Sequence, residues 1–152
     1  GSVAQTVWNY LLNRPLDYGI SDVDIVYYDS DLSEAKENSI IHKIKSKFSN
    51  KLYEIDVANE ARVHLWYEKA FGKIILPYSS VEEAISTWPT TATSLGVRLE
   101  QNELIVFAPY GLNDLYNLTV KPNKKMIDKI IYDNKVEKWE QKWPELNYKN
   151  WK

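Results

Sequence analysis

The segment Ser21-Asp22-Val23-Asp24-Ile25-Val26-Tyr27-Tyr28 constrains this chain more than any other. Val23–Tyr28 is short and dense in β-branched and aromatic residues, so it predicts a buried strand. Two carboxylates stand at its start, Asp22 and Asp24. At positions i and i+2 of a strand they share one face, roughly 6–7 Å apart along it. Burying carboxylates is costly unless a cation or a donor compensates. Mg²⁺ takes oxygen ligands and bridges carboxylate to phosphate, so an Mg²⁺ (or Mn²⁺) site is one expectation. The plainer alternative has Asp22 capping a turn and Asp24 on an edge.

A third carboxylate would complete such a site. Leu52–Val57 predicts a second strand, with Tyr53, Ile55 and Val57 facing one way and Leu52, Glu54 and Asp56 the other. Glu54 and Asp56 are therefore both candidates, against the alternative of a solvated strand face.

Helical periodicity predicts Val3–Leu12, Ser33–Phe48 and Asn59–Ala70. In the second, Ile40, Ile41, Ile44 and Phe48 mark one face. In the third, Asn59 caps the start, Val63, Trp66, Tyr67 and Ala70 stand at helical spacing with the first three inward, and Gly72 closes the end. Ser80-Val81-Glu82-Glu83 is a capping box opening a short helix that Pro89 ends. Ser94–Leu99 and Leu104–Ala108 pair around a Glu100–Glu103 turn, and Asn113–Leu118 is a short helix. Lys124–Trp143 is a last helix with Met126, Ile127, Ile130 and Ile131 inward, followed by a weakly specified tail. Interleaved strands and helices predict an α+β fold, a mixed β-sheet with flanking helices, in a single domain over residues 1–152.

Composition narrows the function classes. Cysteine is absent, which excludes disulfides, thiolate catalysis and Cys-based zinc sites and is compatible with a cytoplasmic location. No apolar run reaches the roughly 18–20 residues that span a bilayer, so no membrane partner is expected. The formal charge is −2 and the 19 basic residues are dispersed, so extended DNA binding is not expected. A small anionic substrate stays open, because a bound metal supplies positive charge locally.

Other candidates are less specific. Gly1-Ser2 before the first helix could approach triphosphate oxygens, cap the helix, or be a cloning remnant. Of the three arginines, Arg62 and Arg98 could clamp phosphate or form a surface ion pair, the ion pair being the favoured role for Arg98. His42 and His64 lack partners at metal-ligand spacing, and His64 reads as a hydrogen-bonded structural histidine. Thr91 and Thr93 precede a strand, and Asp114 reads as a helix starter. No G-x-S-x-G, P-loop or G-x-G-x-x-G pattern occurs.

Taken together, Gly1–Asn9, Leu16–Asp24, Asn59–Tyr67, Thr91-Ala92-Thr93, Gly96-Val97-Arg98 and Ala108–Leu115 resemble a bacterial family of nucleotidyltransferase-like proteins. That family lies within the DNA polymerase β-like nucleotidyltransferase superfamily. The resemblance implies a Gly-Ser pair, an Asp-x-Asp strand and a third acidic residue on a later strand: Gly1-Ser2, Asp22 and Asp24, and Asp56. It implies that all three aspartates are catalytic metal ligands and that Gly1 and Ser2 contact the nucleotide, to which the phosphate-clamp reading adds Arg62. The implied reaction transfers a nucleoside monophosphate from a nucleoside triphosphate to the hydroxyl of an unknown small-molecule or macromolecular acceptor. Two departures accompany it. The apolar strand expected before Gly1-Ser2 is missing, so the chain reads as lacking its N-terminal segment. The 19 residues between Ser2 and Asp22 exceed the usual gap.

Two rival functions make different predictions. A non-catalytic module would keep the fold and bind nucleotide, or a protein partner through its Trp-rich C-terminal helix. An aromatic-lined carbohydrate binder would show exposed, coplanar tryptophans and no metal site.

Overall fold

The computed structural model describes residues 1–48 and 52–152. It divides into two compact units, Ser21–Ala84 and a second built from Gly1–Ile20 with Ile85–Lys152.

The Ser21–Ala84 unit is built on a β-α-β arrangement. Strand β1 (Asp22–Tyr27) runs parallel to β2 (Glu54–Asn59), and helix α2 (Glu34–Lys47) connects them. β1 is half-buried rather than fully buried. α2 carries Glu34 and Glu37 in its first turn and Lys45 and Lys47 in its last, the order that suits a helix dipole. Its Ile40, Ile41 and Ile44 are half-buried, but Phe48 is exposed, because the helix stops at Lys47 and Phe48 leaves the helical conformation. Leu52 and Tyr53 lie before β2, which instead runs two residues past Val57.

After β2, a 3-10 turn (Glu60–Arg62) leads into α3 (Val63–Phe71). The Asn59 side chain caps the turn by accepting from the Ala61 N–H, and Gly72 closes α3 at φ 69°, as expected. The inward face is narrower than expected. Val63 and Tyr67 are buried, but Trp66 is 46% exposed and Ala70 is also exposed. Val63 and Tyr67, four residues apart, already fill the stripe. Trp66 lies to its side, its ring 6.1 Å from that of Tyr67 and 6.5 Å from that of Phe71. Helix α4 (Val81–Ile85) starts with the Glu83 N–H donating to Ser80 Oγ. The Glu83 carboxylate reaches back one residue further than the capping box predicts, to the N–H and hydroxyl of Ser79.

The other unit has an aromatic core. Helix α1 (Ser2–Leu11) buries Ala4 and Trp8. Trp8 meets Trp139 and Trp143 edge-on at 5.3 and 5.6 Å. Asn9, fully buried, accepts a 2.7 Å hydrogen bond from the Trp143 indole N–H and donates to the carbonyls of Leu16 and Tyr18. The buried amide is thereby paired on both sides. Strands β3 (Gly96–Glu100) and β4 (Glu103–Phe107) form an antiparallel hairpin. Its two turn residues, Gln101 and Asn102, both take positive φ, the geometry that matches hairpin twist.

Helix α5 (Asn113–Tyr116) is followed by β5 (Thr119–Val120), helix α6 (Lys129–Glu140) and β6 (Asn147–Tyr148). α6 is shorter than the expected Lys124–Trp143. Asn123 holds the preceding segment out of helix by donating to the carbonyls of Ser86 and Trp88, and Asp128 caps α6 at Ile131. Its buried face is Tyr132 and Trp139, with Ile131 and Val136 beside them, while Ile130 is 70% exposed. The tail is well specified: β6 pairs in parallel with β5, and Leu146 is buried. The fold is α+β, with its strands distributed among three two-stranded ladders among the described residues. Among those residues, no helix is long and apolar enough to cross a membrane.

Candidate metal centre

The β1–β2 register sets Asp22 opposite Glu54 and Asp24 opposite Asp56. Partners in a parallel ladder point to the same face. Four carboxylates therefore line one face of β1–β2, while Val57 and Asn59 on the other face are buried. Three of the four converge: Asp22, Asp24 and Asp56 each offer a carboxylate oxygen, and these lie within 4.8 Å of one another. Asp22 also accepts from the Ser21 hydroxyl at 3.2 Å. Glu54 turns elsewhere, with Lys45 of α2 3.8 Å away.

The donor set is oxygen alone, with no imidazole among the three. Hard cations such as Mg²⁺ and Mn²⁺ prefer such donors. Three carboxylates gathered this closely repel one another, and a divalent cation would neutralise that charge.

A further acid escaped the sequence reading as a site residue. Glu60, the first residue past β2, is buried, and its carboxyl is pushed up to about 7. Burial is the main cause, followed by the charges of Asp24 and then Glu37. The available signal was an acid directly after Asn59, the residue that caps the turn at the end of β2. Tyr27, at the end of β1, is also raised, first by burial and then by Glu37 and Asp29, with Arg62 and Lys36 opposing. Its hydroxyl is buried and makes no hydrogen bond among the described residues.

The remaining candidates have other partners. The Arg62 guanidinium forms an ion pair with Glu37 and donates from Nε to the Leu32 carbonyl at 3.0 Å. Arg98 pairs with Glu100 on the surface, as its simpler reading had it. Gly1 is the N-cap of α1 and Ser2 its first residue; both belong to the other unit. His64 departs from expectation, because its Nδ1 is buried with no hydrogen-bond partner among the described residues. Asp114 does more than begin α5. It accepts from the Thr91 hydroxyl at 2.7 Å and pairs with Lys121 at 2.9 Å. Burial works against its ionisation, but those two partners outweigh it and hold the carboxyl below its ordinary value. Thr93 shares a 2.6 Å hydrogen bond with Thr90 inside the fold.

The tryptophans bear on the protein-partner and carbohydrate readings, and leave a nucleotide-binding module untouched. Trp139 and Trp143 are core residues, so the C-terminal segment does not present them to a partner. The Trp8 ring is inclined 75° and 61° to its neighbours, so that cluster offers no coplanar platform.

Comparison with known proteins agrees with this geometry. A solved structure described as revealing "a CCA-adding enzyme head domain" is similar at a TM-score of 0.78 and 26% identity. The similarity covers 99% of this chain and 78% of that one. No curated protein matches the chain. The nucleotidyltransferase family matches residues 1–148, nearly the whole sequence. With its Asp-x-Asp strand and neighbouring aspartate in place, the chain belongs to the nucleotidyltransferase family.

Proposed function

We propose that this protein is a Mg²⁺- or Mn²⁺-dependent nucleotidyltransferase that moves a nucleoside monophosphate from a nucleoside triphosphate to an acceptor hydroxyl. The observation that carries this reading is the convergence of the Asp22, Asp24 and Asp56 oxygens within 4.8 Å on one strand face. Asp22 and Asp24 would hold the metal that accompanies the triphosphate, and Asp56 the one on the acceptor side. When bound, divalent metal neutralises the charge of the phosphates and of the leaving pyrophosphate.

The rest is positioning, as in other phosphoryl transfers. The acceptor oxygen bonds to the α-phosphorus in line with the departing oxygen, and the bond to the β-phosphate side breaks. Pyrophosphate leaves, the acceptor's proton passes to solvent, and Asp56 would help lower the acceptor hydroxyl's pKa. The expected contact of Gly1 and Ser2 with triphosphate oxygens is a separate proposal; Ser2→Ala would raise KM for the nucleotide if it holds.

The test is Mg²⁺-dependent pyrophosphate release, screened across the four nucleoside triphosphates with pools of RNA, sugars and proteins as acceptors. An RNA 3′-hydroxyl belongs in the screen because the similar structure is described as a CCA-adding enzyme head domain. Release that requires Asp24 and Asp56 supports the reading. Nucleotide binding without release from any pool would favour the non-catalytic module.

A further inference from the structure

β1 and β2 pair with each other and with no further strand among the described residues. A one-residue slip in such a ladder would send Asp56 to the face opposite Asp24. The register therefore needs a lock, and the end of the ladder supplies one.

Asn59 stands on the last rung, opposite Tyr27, and is 2% exposed. Its carboxamide behaves like an extra peptide unit. Oδ1 accepts from the Asp29 N–H at 3.0 Å, and Nδ2 donates to the Asp29 carbonyl at 2.9 Å. The same Oδ1 accepts from the Ala61 N–H at 3.1 Å. The main-chain N–H of Asn59 donates to Glu37 Oε2 at 2.9 Å. Glu37 Oε1 is paired with Arg62, whose Nε is bonded to the Leu32 carbonyl. The chain past β1, the start of α2, the end of β2 and the 3-10 turn are thus tied in one closed network.

The Glu37 and Arg62 side chains are only 15% and 14% exposed. A largely desolvated ion pair adds little net stability over apolar packing, and fixing one geometry is a use such pairs can serve. We propose that Asn59 and the Glu37–Arg62 pair are positioning residues that fix the β1–β2 register and so hold Asp24 and Asp56 on one rung for metal binding. The inference rests on the metal-site reading above. It also gives Arg62 a part different from nucleotide contact: it acts through Glu37 and Asn59.

The test titrates the full chain with Mn²⁺ alone, following free Mn²⁺ by electron paramagnetic resonance, without nucleotide. Two variants leave the net charge unchanged: Asn59→Ala, and the double Glu37→Gln/Arg62→Met. A third, Val63→Ala, removes buried packing in the same unit without touching the network. All are measured well below their melting temperatures. Moving Asp56 off the rung of Asp24 would remove one of three ligands, an effect no smaller than the roughly 10-fold lower end for losing a ligand's own hydrogen-bond partner, so both network variants are expected to raise the Mn²⁺ Kd by at least about tenfold. Val63→Ala is expected to leave Kd unchanged.

Kd within about twofold of the parent in the network variants would overturn the proposal, as would an equal loss in Val63→Ala. If Asn59→Ala does not fold, the double variant decides. If Arg62 only contacted phosphate, the double variant would bind Mn²⁺ normally and lose affinity for nucleotide. If the parent bound no Mn²⁺, or bound it equally after Asp24→Asn, the metal-site reading itself would fail and this inference with it.

Discussion

Asp24 and Asp56 face each other across one rung of a parallel two-stranded ladder, and with Asp22 they bring carboxylate oxygens within 4.8 Å. Crowding of like charges destabilises the metal-free protein and favours a divalent cation. Asp24→Asn and Asp56→Asn should each raise the melting temperature in chelator and reduce or abolish its rise with Mg²⁺. Turnover should fall on the order of 100-fold or more, the upper end of the effect of outer partners, because these groups are assigned as ligands themselves. Calorimetry with and without Mg²⁺ reads the first effect and pyrophosphate release the second. Retained Mg²⁺ stabilisation in Asp24→Asn would count against the site.

Glu60 gives the metal-free protein a pH dependence of known sign. Its carboxyl titrates near 4.5 when unperturbed and about 7 in the fold, raised by burial, Asp24 and Glu37 in that order. The folded state holds the proton more tightly, so this group costs nothing at low pH and removes stability as pH rises from about 4.5 to about 7. Glu60→Gln should therefore match the parent near pH 4 and be more stable above pH 7, by up to about 3 kcal/mol from the difference between the two values. Urea unfolding in chelator across that range checks it. Parallel stability curves for parent and variant would show that Glu60 is not the group responsible.

Trp143 and Trp66 should respond differently to truncation. Trp143 is fully buried, packs edge-on against Trp8 and supplies the partner of buried Asn9. Trp143→Ala should cost about 3–5 kcal/mol as a large core deletion, before adding the unpaired Asn9 oxygen. Trp66 is 46% exposed, and Trp66→Ala should cost about 1 kcal/mol or less. Denaturant midpoints decide, and equal losses would contradict this placement.

Gly19 is fixed by geometry and space together. Its φ is +70°, and an added Cβ would come within 2.9 Å of the Trp143 ring. Its carbonyl accepts from Lys142 at 2.8 Å, so the backbone cannot easily move away. Gly19→Ala should destabilise by roughly 1–3 kcal/mol. An unchanged melting temperature would show that the turn has another accessible conformation.

The elements that the sequence determined are those whose cause is local. Alternation placed Asp22 and Asp24 on one face of β1, and Glu54 and Asp56 on one face of β2. The Asn59 cap, the Gly72 stop and the two-residue turn at Gln101 and Asn102 follow from backbone preferences a few residues long. Tertiary structure decided what depends on partners distant in sequence. Glu54 and Asp56 shared a face, and the β1–β2 register set each opposite an aspartate of β1; side-chain placement then gathered Asp56 with Asp22 and Asp24 and left Glu54 near Lys45. Periodicity made Val63, Trp66 and Tyr67 equivalent, and the narrow stripe that packing covers left Trp66 outside. Helical spacing ran on from Lys124 to Trp143 because it does not register Asn123 bonding to Ser86 and Trp88 across the chain. Arg62 read as a phosphate clamp or one half of an ion pair, and the fold brought Glu37 of α2 to it. A pattern along the chain records which way a side chain points, whereas register and pairing are set by which other segment it meets.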